Sequence, residues 1–156
     1  MDGASPAPSV SGGEVCSSSF GITVTPTSGL TTTEALGTDT FTVVLDSQPT
    51  ANVTLSILSD DLTEGAALPA ALTFTDANWD TPQTVTVAGI DDTIVDGNIA
   101  YTIVTGDPTS ADSDYNDLGA DDVDDVSVTN TDNDVASITV TPTSGLITTE
   151  AGGTDT

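Results

Sequence analysis

The sequence predicts an all-β fold, an antiparallel β-sandwich of about seven strands. Three observations carry that prediction. Short runs alternate apolar and polar residues with a period of two, as in Val53-Thr54-Leu55-Ser56-Ile57. Turn-forming residues interrupt these runs every 8–14 residues, and no stretch shows the 3.6-residue apolar period of an amphipathic helix. The chain holds 30 Thr among 156 residues, many at the outward positions of the alternation, where a β-branched hydroxyl suits a solvated sheet face.

Residues 1–19 are rich in Ser, Gly, Pro and Ala and read as a flexible leader. Their Cys16 is the only cysteine, so no intrachain disulfide is possible. Met1-Asp2-Gly3 carries no basic segment and no apolar run follows it, so no signal peptide is visible. No apolar run approaches the length of a membrane span. The first strand covers 20–26, with Ile22 and Val24 on one face. Pro26 stops its ladder and Thr27-Ser28-Gly29 turns the chain. An edge strand is expected over Thr31–Glu34 and a longer one over Thr40–Asp46. Asn52–Leu58 alternates most cleanly, with Val53, Leu55 and Ile57 inward, and ends at Ser59-Asp60-Asp61. Residues 62–70 are Ala-rich and read as irregular. Leu72–Thr75 is a short strand. The turn after it carries Trp79, the only tryptophan, which is expected to anchor packing. Gln83–Val87 alternates and runs into an acidic turn. Asn98–Val104 follows with Ile99, Tyr101 and Ile103 inward, then a long acidic loop over 106–122. The last strand covers Val123–Thr129, and Asn130-Thr131-Asp132-Asn133-Asp134 closes the unit.

The charge balance is one-sided. There are 25 acidic residues and no Lys, Arg or His, for a formal charge of −25. Nucleic acid is excluded as a partner, because its affinity comes largely from basic groups on phosphates. Docking on or insertion into an anionic membrane is disfavoured for the same reason. Within this excess, Asp91, Asp92 and Asp96 fall in one turn that ends at Gly97. No protein cation exists to neutralise them, and several carboxylates in one loop are unfavourable without one. Hard oxygen ligands in a tight turn point to Ca²⁺. Without His or Lys, and with Cys16 in the leader, most nucleophile–base pairs are missing, so an enzyme is not expected. Paired carboxylates are too abundant here to mark a glycosidase.

The chain also repeats itself. Ile22–Thr40 returns as Ile138–Thr156 at an offset of 116 residues, and 17 of the 19 positions are identical. The exceptions are Thr31 against Ile147 and Leu36 against Gly152. Identity at a fixed offset signals a tandem array. One complete unit spans 20–135, and 136–156 is the opening of the next, too short to bury a core alone. Two readings of 136–156 stand open. Either the sequence stops part-way into a following repeat, or these strands are donated to a neighbouring molecule to build a homo-oligomeric fibre.

Glu34 near the first strand, Asp91-Asp92 after a Val-Thr-Val strand, Asp112-Ser113-Asp114-Tyr115, and the closing Asp132-Asn133-Asp134 together resemble the bacterial Calx-β-type repeat, over 20–135. The resemblance implies an immunoglobulin-like sandwich that binds Ca²⁺ at one end, near the junction with the next domain. It implies Glu34, Asp91, Asp92, Asp132 and Asp134 as ligands, with Asp60 or Asp61 as an addition. Asp96 stands where the family more often has Glu. The run Asp121-Asp122-Val123-Asp124-Asp125 has weaker family support and reads as a solvated face. Such repeats occur in long secreted or surface-attached proteins, often adhesins. The expected function is therefore a calcium-stiffened structural repeat of an extracellular or cell-surface stalk, adhesin or fibre, with neighbouring copies of the repeat as partners. The alternative is a carbohydrate- or ligand-binding β-sandwich module, using Trp79 and the two tyrosines as stacking surfaces.

Overall fold

The computed structural model describes residues 20–154. The leader, Cys16 and the last two residues lie outside them. Ten strands follow in order: β1 (Ile22–Thr25), β2 (Leu30–Thr33), β3 (Thr38–Leu45), β4 (Val53–Ser59), β5 (Gly65–Leu68), β6 (Ala71–Phe74), β7 (Gln83–Gly89), β8 (Ile99–Thr105), β9 (Thr109–Ser110) and β10 (Val126–Thr131). One sheet has the order β1-β3-β7-β5. The other has the order β2-β10-β8-β4-β6, with β9 adding to β4. The fold is a two-sheet β-sandwich, as the alternation predicts, of the immunoglobulin-like kind that the resemblance implies.

The inward positions of the two sheets make a single core. Phe41, Val43 and Leu45 on β3 and Val85 and Val87 on β7 face Val53, Leu55 and Ile57 on β4 and Val126 and Val128 on β10. Trp79 packs on the edge of this core, as a packing anchor should. Val123 and Tyr115 join it from outside the strands. Asp112 caps a single helical turn, α1 (Ser113–Asn116), by accepting the Asp114 N–H at 3.0 Å through one oxygen. Its other oxygen takes the Thr50 N–H at 2.7 Å and the Thr50 hydroxyl at 2.8 Å. That turn drives Tyr115 fully into the core, where its hydroxyl donates to the Ser47 carbonyl at 2.6 Å and its ring meets the edge of Phe20.

Several expectations need correction. There are ten strands among the described residues rather than about seven. Residues 62–70 are not irregular, because β5 pairs with β7 there, Gly65 opposite Gly89. Its residues are too small to show alternation. The loop over 106–122 holds β9, α1 and a 3₁₀ turn at Ala120–Asp122. The last strand is shifted, starting at Val126 and not Val123. The Thr105 hydroxyl and N–H engage Val123–Asp125 through the Asp124 carbonyl at 3.0 Å and the Asp125 carboxylate at 2.8 Å, which holds that segment off the ladder. One pairing is parallel. β2 runs alongside β10 with Leu30 opposite Val128 and Thr33 opposite Thr131.

The parallel pair decides where the acidic residues meet. After β1 the chain crosses to the other sheet through Pro26–Gly29, with Gly29 at φ +83°. β2 then runs in the same direction as β10, so both strands finish at the same end of the sandwich. β7 ends and β5 and β8 begin at that end too. Residues 136–154 follow beyond β10 and contain no strand, only an isolated bridge between Thr149 and Gly153.

Candidate metal centre

At this end of the sandwich the inward alternation continues, but its residues turn polar. On β2 the series Leu30, Thr32 reaches Glu34, which is 3% exposed. On β10 the series Val126, Val128 reaches Asn130, 1% exposed. Burying such groups is tolerable only when they are bonded. The Thr32 hydroxyl donates to Asn130 Oδ1 at 3.0 Å and lies 3.2 Å from the Tyr101 hydroxyl. The Asn130 amide donates in turn to the Ile90 carbonyl at 3.1 Å and to Glu64 Oε2 at 3.3 Å. Two glycines let the backbone close in around this network. A Cβ on Gly89 would strike the Thr33 carbonyl and Asn130 Oδ1, and one on Gly65 would strike the Tyr101 ring.

Two carboxylate groups sit over that floor. Oxygens of Glu34, Asp132 and Asp134 lie within 4.8 Å of one another, and so do oxygens of Glu64, Asp92 and Asp96. The first group is a product of the parallel pair, since Glu34 and Asp132 are the next residues after Thr33 and Thr131. Its loop is tied down by short bonds. The Asn133 N–H donates to Glu34 Oε2 at 2.9 Å, the Asp134 N–H to Asp132 Oδ1 at 2.6 Å, and the Gly97 N–H to Asp132 Oδ2 at 2.8 Å. The Gly97 contact joins the β7–β8 loop to the β10 end. In that loop Asp92 Oδ1 accepts the Ile94 N–H at 2.7 Å, and Asp91 Oδ1 lies 3.5 Å from the Asn133 amide nitrogen.

The electrostatics show that the two groups are neighbours. Glu34 is pulled down by the Asn133 N–H, but burial and the negative charges of Asp132, Asp92 and Asp134 outweigh that bond, and its carboxyl sits above the ordinary range. Asp134 is pushed up by burial and then by Asp132, Asp92, Asp91 and Asp96. Asp92 acts on both.

Of the residues expected from sequence, Glu34, Asp132 and Asp134 form one group, Asp92 and Asp96 belong to the other, and Asp91 borders both. Asp60 is in neither. Its Oδ1 accepts the Thr102 N–H at 2.7 Å, so it is used to extend the β4–β8 ladder. Asp61 is likewise spent on its own turn, where the Thr63 hydroxyl and N–H hold its carboxyl below the usual range. Glu64 was not expected. It lies in the stretch read as irregular, three residues after Asp61, and the β5–β7 pairing brings it to Asp92.

The donor set fits a hard cation. Every candidate ligand is a carboxylate oxygen, and a Ca²⁺ ion about 2.4 Å from each ligand holds opposite oxygens roughly 4.8 Å apart. One atom argues beyond composition. Among the described residues, Asp134 Oδ2 is the buried side-chain oxygen with no hydrogen-bond partner. A buried anionic oxygen with no donor, ringed by other anions, lacks the positive partner that would justify its burial.

No family model matches the chain, and neither does any curated protein. Among solved structures it is similar to the apo form of the Calx CBD1 domain, with a TM-score of 0.53 and 16% identity over 74% of this chain and 98% of that one. It is equally similar to the calcium-binding domain CBD12 of CALX1.1, with a TM-score of 0.53 and 16% identity, over 72% of this chain and 46% of that chain. The fold is Calx-β-like. Within the Calx-β-like frame, the carboxylates come from four separate segments: the end of β2, the approach to β5, the β7–β8 loop and the end of β10.

Proposed function

We propose that this chain is a calcium-binding structural unit of a tandem array, and that the ion stiffens the end of the sandwich from which the chain leaves for the next unit. The observation that carries the reading is Asp134 Oδ2, buried without a hydrogen-bond partner on a carboxylate grouped with those of Glu34 and Asp132. Two Calx domains that share the fold support it, one of them named for calcium binding. Glu34, Asp132 and Asp134 are the first ligands, with Asp92, Asp96, Glu64 and Asp91 adjoining. Glu150 repeats Glu34 and gives the following unit the same chemistry. The chain enters the sandwich at the Tyr115 end and leaves at the carboxylate end, so successive units lie in series. That geometry suits an extracellular stalk, adhesin or fibre. Among the described residues no helix is long and apolar enough to cross a membrane.

The test is thermal unfolding of the 156-residue chain in millimolar Ca²⁺ and in excess EDTA. A ligand held only by the folded state at a hundred times its Kd adds about 2.7 kcal/mol, a midpoint rise on the order of 10 °C for a domain this size. Mg²⁺, which keeps its waters, should do much less. Glu34→Gln with Asp134→Asn should abolish the calcium response. Equal midpoints in Ca²⁺ and EDTA would overturn the proposal.

A further inference from the structure

We infer that the Asp96–Gly97 peptide is a site of spontaneous backbone isomerisation, at which the folded chain converts aspartate to isoaspartate and disarms its own carboxylate end. The reaction needs no partner beyond water. The Gly97 nitrogen attacks Asp96 Cγ. A C–N bond forms and a Cγ–O bond breaks. The oxygen leaves as water, taking the amide proton and a proton from solvent. Water then opens the cyclic imide at either of its carbonyls. Opening at Cγ restores aspartate. Opening at the main-chain carbonyl leaves the chain running through Cγ, which is isoaspartate, with no net change in mass.

The structure favours this position over the chain's other aspartates. Of 21 Asp, only Asp2 and Asp96 precede a glycine. A side chain on the following residue crowds the attacking nitrogen, and glycine removes that hindrance. Gly97 has open space around it as well, since a Cβ there would meet nothing within 4 Å. Both residues are exposed, and the β7–β8 loop has no strand pairing over 90–98. Among the described residues none donates a hydrogen bond to the Asp96 carboxylate, whereas Asp92 in the same loop is held by the Ile94 N–H at 2.7 Å. The Gly97 N–H faces Asp132 Oδ2 at 2.8 Å, so an acceptor for the departing proton is in place. Where serine follows aspartate, the fold holds the carboxylate instead. Asp46 Oδ1 accepts the Thr23 hydroxyl at 2.7 Å, and Asp112 is bonded by Thr50 and the Asp114 N–H.

The product cannot keep the native contacts. Isoaspartate lengthens the main chain by a methylene and shortens the side chain by the same amount. The carboxylate at position 96 is drawn out of its group with Glu64 and Asp92, whose oxygens now lie within 4.8 Å of it. The Gly97 N–H is carried away from Asp132, which breaks the bond joining the β7–β8 loop to the end of β10. A coupling in the other direction rests on the calcium reading above. An ion held by Asp96 pins its carboxylate and keeps it from turning onto the Gly97 nitrogen, so a loaded site protects itself and an unloaded one decays.

The test follows the full chain through a long warm incubation at neutral pH in excess EDTA, in millimolar Ca²⁺ and in urea. Isoaspartate is counted by labelling with an isoaspartyl methyltransferase. It is located with a protease that cuts before aspartate and not before isoaspartate, since loss of the cut at Asp96 gives the fragment 92–106 in place of 92–95 and 96–106. The expected result is isoaspartate at position 96 in EDTA, formed at a rate within several-fold of that in urea, and several-fold more slowly in Ca²⁺. The melting midpoint of the aged sample should respond less to Ca²⁺ than that of a fresh one. Asp96→Glu keeps a carboxylate but cannot close the same ring, so the signal at this position should vanish. Isoaspartate at position 96 in urea but not in EDTA would overturn the inference, because the fold would then protect the bond. Equal rates in EDTA and Ca²⁺ would overturn the self-protection. In that case a fresh sample whose midpoint still rises with Ca²⁺ places the ion away from Asp96. A midpoint that does not rise marks the failure of the calcium reading, with the isomerisation left standing.

Discussion

Glu34 and Asp134 are carboxyls in a place that disfavours anions. Both carboxyls are raised in the folded state, by burial and by their acidic neighbours, with the Asn133 bond working against the rise at Glu34. The sign follows from linkage. Between the ordinary carboxylate pKa, about 4, and the raised folded value, the native state binds more protons than the unfolded one, so stability falls as pH rises through that window. In EDTA the melting midpoint should therefore climb as pH is lowered from neutral toward the carboxylate range. In Ca²⁺ the trend should flatten or reverse, because protons then compete with the ion. At lower pH the opposite sign takes over. Asp112, lowered by its bonds to Thr50, and Asp61, lowered by Thr63, contribute stability that is lost as pH falls through their folded values. A midpoint in EDTA that falls steadily from neutral pH downward would contradict the strain assigned to the two raised groups. Asp91, Asp92 and Asp96 stand out in the sequence as one acidic turn, and Glu34, Asp132 and Asp134 were expected through the resemblance. Glu64 was not. Its partner Asp92 is 28 residues away, and nothing local marks it. Asp60 was read as a ligand because it follows a strand, but a carboxylate at a strand end can equally cap the neighbouring strand's N–H, as it does at Thr102.

At the level of elements, the repeated segment separates what short sequences encode from what they need partners to form. The tight turns recur in both copies with matching geometry, because they rest on glycines and on hydroxyl bonds within five residues. The strands β1 and β2 do not recur, because a ladder needs partners far away in sequence. The same distinction explains the elements that were missed. The alternating runs β4, β7 and β8 were visible locally. β5 and β9 exist only through β7 and β4, and the parallel β2–β10 pairing joins segments about 98 residues apart. The turn after β2 also yields a substitution with a defined outcome. Leu36 is largely exposed and left-handed, so Leu36→Gly relieves about 1–2 kcal/mol of backbone strain against roughly 0.5–1 kcal/mol of added unfolded-state entropy. A small net stabilisation, about 1 kcal/mol or less, should appear as a higher urea midpoint with an unchanged slope. A lower midpoint would show that the Leu36 side chain packs to some purpose.

For the whole molecule the governing fact is that every formal side-chain charge has the same sign. Screening in most proteins weakens attractions and repulsions together. Here there are no side-chain ion pairs to weaken, so added salt can only relieve repulsion. The Debye length shrinks from about 30 Å at 0.01 M to about 3 Å at 1 M. In EDTA, the melting midpoint should rise continuously across that range of NaCl. Calcium at millimolar concentration should exceed the effect of NaCl at equal ionic strength, since it acts at one place and not over the whole surface. A midpoint that ignores NaCl would show the carboxylates to be too widely spaced for their repulsion to matter.

The opposite placement of the first and last strands has a mechanical meaning. β1 starts at the Tyr115 end and β10 stops at the carboxylate end, so a pull on the two ends of the unit runs along the strands. The hydrogen bonds of the antiparallel ladders lie across that direction. Tension would load the β1–β3 and β10–β8 ladders in shear, with many bonds sharing the force at once, instead of opening them one after another from an edge. A chain of such units would behave as a tether that resists stretching, and its yield point would be fixed by the few strands that meet the load first.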